Sequence, residues 1–166
     1  MTTSQKTPAG SQKTPTGQAH RGSRLVEASA TSTAPASAFF ARWADMATWP
    51  QWNQDTEWVR LEGPFVQGAT GTLKPKGGPV VPFVVEQLIP GRSFVDVSSL
   101  FGARLVFDHA VQERAGQTRV DVAVTLSGPL AFFWKLILGK GIRNTAQRDL
   151  DLLVSTAEAD VAAGSV

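Results

Sequence analysis

The sequence predicts an α+β fold in which a sheet of short strands wraps around one long C-terminal helix. About a hundred residues of strand-like segments come before a single helical pattern that runs from about Leu130 to Ala159. A shorter helical region lies near Trp49-Pro50-Gln51-Trp52, ahead of most of the strands. A long helix must bury its apolar face against another layer, and a curved sheet supplies that layer. We therefore expect an apolar pocket between the sheet and the helix.

The composition indicates one globular domain behind a polar tail. The chain has 166 residues, of which 42% are hydrophobic and 18% charged, as expected for a single domain with a core. Residues 1–22 contain the direct repeat SQKTPAG-SQKTPTG, which has no side chains to build a core, so we predict a disordered tail there and a domain at 23–166. The tail lacks the apolar stretch of a secretory signal, and we expect a cytoplasmic protein.

The charge distribution argues against nucleic-acid binding. Lys6, Lys13 and Arg21 give the tail a charge of +3, while the whole chain carries only +2, so the remaining 13 basic and 14 acidic side chains nearly cancel. The body has no clustered stripe of Lys and Arg that could neutralise phosphates. No segment has the roughly 20 apolar residues that span a bilayer, so we expect no stable membrane insertion.

The residue types leave few options for cofactors or metals. The chain has no cysteine and two histidines, His20 and His109, which are far apart in sequence. Disulfides, thiolate sites and cysteine nucleophiles are thereby excluded, and we expect no metal. The sequence has no phosphate loop, serine-nucleophile elbow or dinucleotide fingerprint, so we expect no cofactor. It leaves open whether the protein is a monomer or a homodimer.

The N-terminal part of the domain predicts a strand and two short helical segments. Arg24–Thr33 is strand-like, and Pro35 can begin a helix because its missing N–H is not needed in the first turn. Apolar residues at helical spacing continue to about Ala44. Asp45–Trp52 predicts a second short helix or turn that ends near a proline.

Six further strands follow, separated by turns that contain Gly and Pro. They are predicted at Asp55–Leu61, Thr70–Lys74, Val80–Ile89, Arg92–Ser99, Ala103–Glu113 and Gln117–Ser127. Apolar and polar residues alternate in the last strand, which is typical of a half-buried antiparallel strand. Arg114-Ala115-Gly116 predicts a hairpin between the last two strands. In the final helix, Gly139 and Gly141 each cost about 1 kcal/mol relative to Ala, which indicates a kink or a close approach to the sheet or a ligand.

Several short motifs fit this order of elements. They are Ala34-Pro35, Trp49-Pro50-Gln51-Trp52, Pro64 with Gly68, Phe107-Asp108-His109, and Leu126-Ser127-Gly128-Pro129-Leu130. Over about residues 24–160 the chain resembles the START-like (SRPBCC) superfamily, and within it the polyketide cyclase/dehydrase and lipid-transport branch. The resemblance implies a helix-grip fold. About seven antiparallel strands would curve around the C-terminal helix, with two short helices after strand 1 and a hydrophobic cavity inside.

His109 is the ionisable side chain with the clearest functional potential. It shares one face of its strand with Leu105 and Phe107. If that face lines the cavity, a neutral imidazole could move a proton or bind the polar end of a ligand. The structural alternative is a buried histidine satisfied by a backbone carbonyl or a neighbouring hydroxyl. The sequence shows no partner that would form a dyad with it.

Ten residues are predicted to line the ligand site. They are Trp58, Phe83, Leu105, Phe107, His109, Val122, Val124, Trp134, Ile137 and Gly141. Trp49 and Trp52 are expected to pack a helix end against the sheet. The acidic candidates are Asp96 and Glu86, and an outer-face position is the default for Glu86.

Three functions are compatible with these residues. The leading hypothesis is a binding protein for a small hydrophobic molecule such as a lipid, an isoprenoid or an aromatic polyketide. The second is a cyclase or dehydratase-like enzyme that uses His109 as acid and base in the same cavity. The third is an interaction module in which Phe132-Phe133-Trp134 and the basic tail contact a partner or an anionic lipid.

Overall fold

A computed structural model describes residues 22–164 of the chain. The predicted tail up to Arg21, with its repeat and His20, lies outside the described residues. The strands are β1 (Ser23–Ser32), β2 (Thr56–Leu61), β3 (Thr70–Pro75), β4 (Val81–Ile89), β5 (Ser93–Leu100), β6 (Ala103–Arg114) and β7 (Gln117–Ser127). The helices are α1 (Ala36–Ala44), a 3₁₀ helix (Met46–Gln51) and α2 (Ala131–Ala162).

The seven strands form one antiparallel sheet in the order β1-β7-β6-β5-β4-β3-β2. Each strand from β2 to β7 pairs with the next along the chain, and β1 pairs with β7. The first two strands therefore lie at opposite edges, and α1 with the 3₁₀ helix makes the connection between them. The predicted helix-grip architecture and the predicted hairpin between β6 and β7 are confirmed.

One end of the sheet's concave face holds a tightly packed core, called here the closed cluster. It joins the sheet to α1, the 3₁₀ helix and the C-terminal half of α2. Phe39, Trp43 and Phe94 are completely buried in it, as is Ala157 from α2. Arg42 of α1 donates two hydrogen bonds to the carboxylate of Asp160, which fixes α1 to the end of α2.

The other end of the concave face is packed less completely and is called here the open cluster. Its buried members come from the sheet: Leu25, Ala103, Leu105, Val124 and Leu126. The side chains packed against them are only partly buried, and they include Phe107, Val122, Trp134, Leu138 and Ile142. The grip of the sheet on α2 is thus tight over the C-terminal half of the helix and looser over its N-terminal half.

The long helix α2 is continuous and lies mainly over β1, with further contacts to β7, β6 and α1. Gly139 is buried beneath the side chains of Lys135 and Arg143 from its own helix and not against the sheet, whereas Gly141 is exposed and nothing lies within 4 Å of where its Cβ would be, so neither glycine marks the predicted kink or approach to the sheet. Within residues 22–164, no helix combines the length and the apolar character that crossing a membrane requires.

Candidate functional site

The register of β5 and β6 brings Asp96 and His109 together. The two strands are joined at Phe101-Gly102, and their pairing places Phe94 opposite His109 and Asp96 opposite Phe107. Residues two apart in a strand share a face, so both Asp96 and His109 face the concave side with Phe94. The Nδ1 atom of His109 lies 3.6 Å from Oδ1 of Asp96. That distance is a close contact but is longer than a hydrogen bond.

Aromatic side chains enclose the imidazole of His109. The ring of Phe94 stacks on it with centroids 4.1 Å apart and an angle of 3° between the planes. Trp43 and Trp49 approach it with centroids at 5.6 Å and 6.3 Å. These rings belong to the closed cluster, so on this side the histidine has an apolar, water-free surrounding.

The facing atoms of the pair have no hydrogen-bond partner. Asp96 and His109 are 5% and 6% exposed. Asp96 Oδ1 and His109 Nδ1 are buried without a partner in the described part of the chain, as are the indole nitrogens of Trp43 and Trp52. A buried polar group without a partner costs about 1–3 kcal/mol, so native structures rarely keep one without a reason.

Burial keeps both side chains of the pair uncharged at neutral pH. It raises the pKa of Asp96 to about 8, against a smaller opposing effect of a backbone hydrogen bond. It lowers the pKa of His109 to about 3, although hydrogen bonds to the backbone of Phe107 and Phe94 favour the protonated imidazole. Both shifts have the direction expected when a charge loses its hydration. At pH 7 the carboxyl of Asp96 therefore holds a proton that it can donate, and the imidazole of His109 is neutral.

The pair lies where the closed cluster meets the open cluster. Phe107 is opposite Asp96 in the register and two residues before His109, and it is a partly buried member of the open cluster. Val122, opposite His109 on β7, is also only partly buried. A proton donor and a neutral imidazole thus stand at the margin of an incompletely covered apolar surface.

The structure brings together five of the ten residues predicted to line the ligand site. Leu105, Phe107, Val122, Val124 and Trp134 all belong to the open cluster. His109 lies at its margin, as described above. Phe83 belongs instead to the closed cluster, where its ring lies close to Gly71.

The other three predicted residues do not face the space between the sheet and α2. Trp58 lies on the sheet face opposite to the buried Val59, with the guanidinium of Arg60 4.4 Å from the centre of its ring. The alternation of Trp58 and Arg60 with Val59 and Leu61 already indicates this orientation, and the bulge of β2 lies before it, between Thr56 and Trp58. Ile137 and Gly141 lie on the exposed side of α2, because Trp134, Leu138 and Ile142 take the inward positions.

Two further expectations can be compared with the structure. Trp49 and Trp52 are buried, with ring centroids 5.4 Å apart, and the indole of Trp49 donates to the carbonyl of Trp43, so these residues pack as predicted. Glu86 pairs with Arg104 at 3.0 Å on the outer face of the sheet, also as predicted.

Sequence reasoning missed the dyad between Asp96 and His109. The signal was present in Phe101-Gly102, which is a two-residue turn with a φ of 65° at Gly102. Once that turn is recognised, the register of β5 and β6 follows, and it places Asp96 two residues along β5 from the partner of His109, so that both side chains lie on the same face.

Comparison with known families agrees with this architecture. The family described as "Polyketide cyclase / dehydrase and lipid transport" matches residues 23–158, which is nearly all of the described domain. Among curated protein sequences, none matches the chain.

Solved structures share the fold at low sequence identity. An aromatase/cyclase of Streptomyces sp. R1128 is 17% identical, with a TM-score of 0.66 over 82% of this chain and 94% of that one. A hypothetical protein of Helicobacter pylori is 12% identical, with a TM-score of 0.65 over 93% and 99% of the two chains. A di-domain aromatase/cyclase of the steffimycin biosynthetic pathway is 11% identical, with a TM-score of 0.66 over 82% and 51%. At these identities the likeness concerns the fold alone.

Proposed function

We propose that this chain, which belongs to the polyketide cyclase/dehydrase and lipid-transport family, binds a small hydrophobic molecule against the open cluster. One observation carries the proposal. Asp96 Oδ1 and His109 Nδ1 are buried without hydrogen-bond partners at the margin of a half-covered apolar surface. A ligand with an apolar body and one polar end would satisfy both features at once.

The apolar body would lie between the sheet and the N-terminal half of α2. Phe107 and Val122 from the sheet and Leu138 from the helix are all partly buried, so each can lose further surface to a ligand. Removing apolar surface from water contributes about 25 cal/mol per Å² before the costs of association. The largest side chains of the closed cluster are already fully buried, so they have no surface left to lose to a ligand.

The polar end of the ligand would lie against Asp96 and His109. A protonated carboxyl can donate to a carbonyl oxygen, and a neutral imidazole can accept from a hydroxyl or donate to an oxygen, depending on its tautomer. The ligand classes with this shape are lipids, isoprenoids and aromatic polyketides that carry a carbonyl or hydroxyl group. The description of the family and the names of the two aromatase/cyclases support the same classes.

A second candidate function is catalysis of cyclisation or dehydration on such a ligand. It is favoured by the position of Asp96, which holds a proton at pH 7 beside a neutral imidazole. Burial makes His109 a weak base, so this function requires a bound substrate that raises the pKa of His109 toward neutrality. In a dehydration, His109 would take a proton from carbon while Asp96 gives its proton to the departing hydroxyl, which leaves as water. The imidazolium of His109 would then transfer its proton to the carboxylate of Asp96, which restores the starting state.

Titration calorimetry with oleic acid, farnesol and an anthraquinone tests the binding site with one probe from each class. We expect at least one probe to bind, and we expect Val122→Trp to weaken that binding at least tenfold because the larger ring fills the open cluster. Val66→Trp is the matched control, since Val66 is 48% exposed outside the cluster. Equal binding by Val122→Trp and the parent protein would contradict the proposed site.

His109→Gln separates binding from catalysis. Glutamine retains hydrogen-bonding groups but cannot take up a proton, so a binding protein would lose only a few-fold in affinity. An enzyme that uses the imidazole as a base would lose turnover by about 10²–10⁴-fold. Retention of full turnover in both His109→Gln and Asp96→Asn would exclude the pair from catalysis.

A further inference from the structure

The N-terminal half of α2 presents an unusually apolar surface to solvent. Its most exposed large side chains are Phe132 (69%), Phe133 (46%), Leu136 (80%) and Ile137 (53%). Phe101, at 84%, stands beside them on the turn between β5 and β6, where its carbonyl accepts a hydrogen bond of 2.8 Å from the Trp134 indole. We call these five residues the helix face. Monomeric soluble proteins rarely expose so many large apolar side chains in one place, and such patches mark sites of interaction.

Cations border the helix face. A surface pocket of about 390 Å³ is lined by Phe132 and Leu136 together with Lys135, Lys140 and Arg143. Lys140 and Arg143 form no ion pair with any residue in the 22–164 range, and Lys135 contacts only the hydroxyl of Ser23, at 3.3 Å. These charges are therefore available to a partner.

Charge is segregated along α2. Residues 131–148 carry four cations and no acid, whereas residues 149–162 carry four acids and no cation. The charged side chains of the N-terminal half are therefore all positive, which makes an anionic partner complementary to this half.

The acids of the C-terminal half are already engaged within the molecule. Asp149 pairs with Arg148, Asp160 with Arg42, and Glu158 accepts a hydrogen bond from Ser32. They are thus poorly placed to pair with the helix face of a second copy, and two helix faces of the same charge would repel each other. The tail carries only positive charge, so it too is a poor partner for this face.

We propose that the helix face docks on an anionic lipid bilayer surface. Phe132 and Leu136 would enter the boundary between headgroups and acyl chains, and Lys135, Lys140 and Arg143 would contact lipid phosphates. This combination of an apolar face with flanking cations is the pattern of helices that lie in the membrane interface. Docking would place the open cluster, which packs on the inward side of the same helical segment, next to the bilayer.

Co-sedimentation of the full chain with vesicles tests the proposal. We expect binding to vesicles of phosphatidylcholine with 30% phosphatidylglycerol, much weaker binding to pure phosphatidylcholine, and loss of binding at high salt. Neutralising Lys140 and Arg143 together (K140Q/R143Q) should lower the partition coefficient about thirty-fold, since each cation near an anionic surface contributes about 1 kcal/mol. Leu136→Ser should lower it several-fold through lost apolar burial.

Matched controls use residues of the same type away from the helix face. Lys76→Gln removes an exposed cation, and Ile89→Ser removes an apolar side chain that is 54% exposed. Both should bind vesicles as the parent protein does. Neutralising the tail (K6Q/K13Q/R21Q) should leave most of the binding intact.

Three results would overturn the proposal. The first is equal sedimentation with anionic and neutral vesicles. The second is loss of binding in the tail variant but not in K140Q/R143Q, which would assign the membrane contact to the tail. The third is a concentration-dependent dimer in sedimentation velocity that Leu136→Ser dissociates, which would assign the helix face to a second copy.

Discussion

The buried pair of Asp96 and His109 should make stability depend on pH in an unusual way. In the folded protein the pKa of Asp96 is about 8 and that of His109 about 3. In the unfolded chain these values return to about 3.9 and 6.5. Between about pH 4 and 6.5 both states hold one proton on the pair, on Asp96 when folded and on His109 when unfolded. The contribution of the pair to the free energy of unfolding is therefore flat in this window.

Above pH 6.5 the two states differ in the protons that they bind. The unfolded chain has lost the proton of His109, while the folded protein still holds the proton of Asp96 until about pH 8. A carboxyl whose pKa is raised by folding contributes stability that is lost as the pH rises toward the folded value. Over the 1.5 units from pH 6.5 to 8, at about 1.4 kcal/mol per unit, the free energy of unfolding should fall by about 2 kcal/mol.

Urea denaturation at constant ionic strength, from pH 4 to 8.5, measures this dependence. In Asp96→Asn the decline above pH 6.5 should disappear, and stability should instead fall as the pH drops below 6.5, because only His109 then differs between the states. In His109→Gln stability should fall continuously from pH 4 to 8. Asp45→Asn, which changes an exposed carboxyl, should follow the parent profile. The reasoning is refuted if the parent protein is equally stable at pH 6.5 and 8, or if Asp96→Asn keeps the decline.

Four further changes test the packing and the backbone by thermal or urea denaturation. Gly71→Ala should destabilise the fold by about 1–3 kcal/mol, because a Cβ there would lie 2.5 Å from the Arg60 carbonyl oxygen and the Phe83 ring. By contrast, Gly141→Ala should stabilise α2 by about 1 kcal/mol, because alanine favours the helix more than glycine does. A loss of stability would mean that the space around Gly141 is not open. Arg42→Gln should lower stability by about 1 kcal/mol through the lost ion pair with Asp160, and a double-mutant cycle with Asp160→Asn should show the coupling. Ala115→Asn should raise stability by about 0.5–1 kcal/mol, since Ala115 has a φ of 52° that asparagine tolerates better. A decrease in stability would show that the backbone of Ala115 is not strained.

The fold could be predicted because its signals are local. Turns with Gly and Pro separated the strands, and the run of 32 helical residues in α2 lacks any interrupting proline. The order of elements then left few topologies. The predicted element boundaries agree with the structure to within one or two residues in most cases, as in Val80–Ile89 against the observed Val81–Ile89.

The candidate site was less accessible to sequence reasoning because it depends on register and on helix rotation. His109 could be singled out because it is the one histidine of residues 23–166. Recognising Asp96 as its neighbour required knowledge of the register of β5 and β6. Trp58 was placed inward although the alternation of Trp58 and Arg60 with Val59 and Leu61 indicates the outer face. Ile137 was placed inward because the N-terminal half of α2 is apolar on several sides, and only the packed structure shows which side the sheet covers.

Comparing native with denaturing mass spectrometry of gently purified protein tests whether the open cluster holds a ligand. We expect an extra mass under native conditions that is lost on denaturation and belongs to a hydrophobic molecule with a carbonyl or hydroxyl group. The same measurement on Val122→Trp should show little or no extra mass, while Val66→Trp should behave as the parent. An extra mass retained equally by Val122→Trp would rule out the open cluster as the ligand site, as would a bare mass in the parent protein together with no binding of oleic acid, farnesol or the anthraquinone.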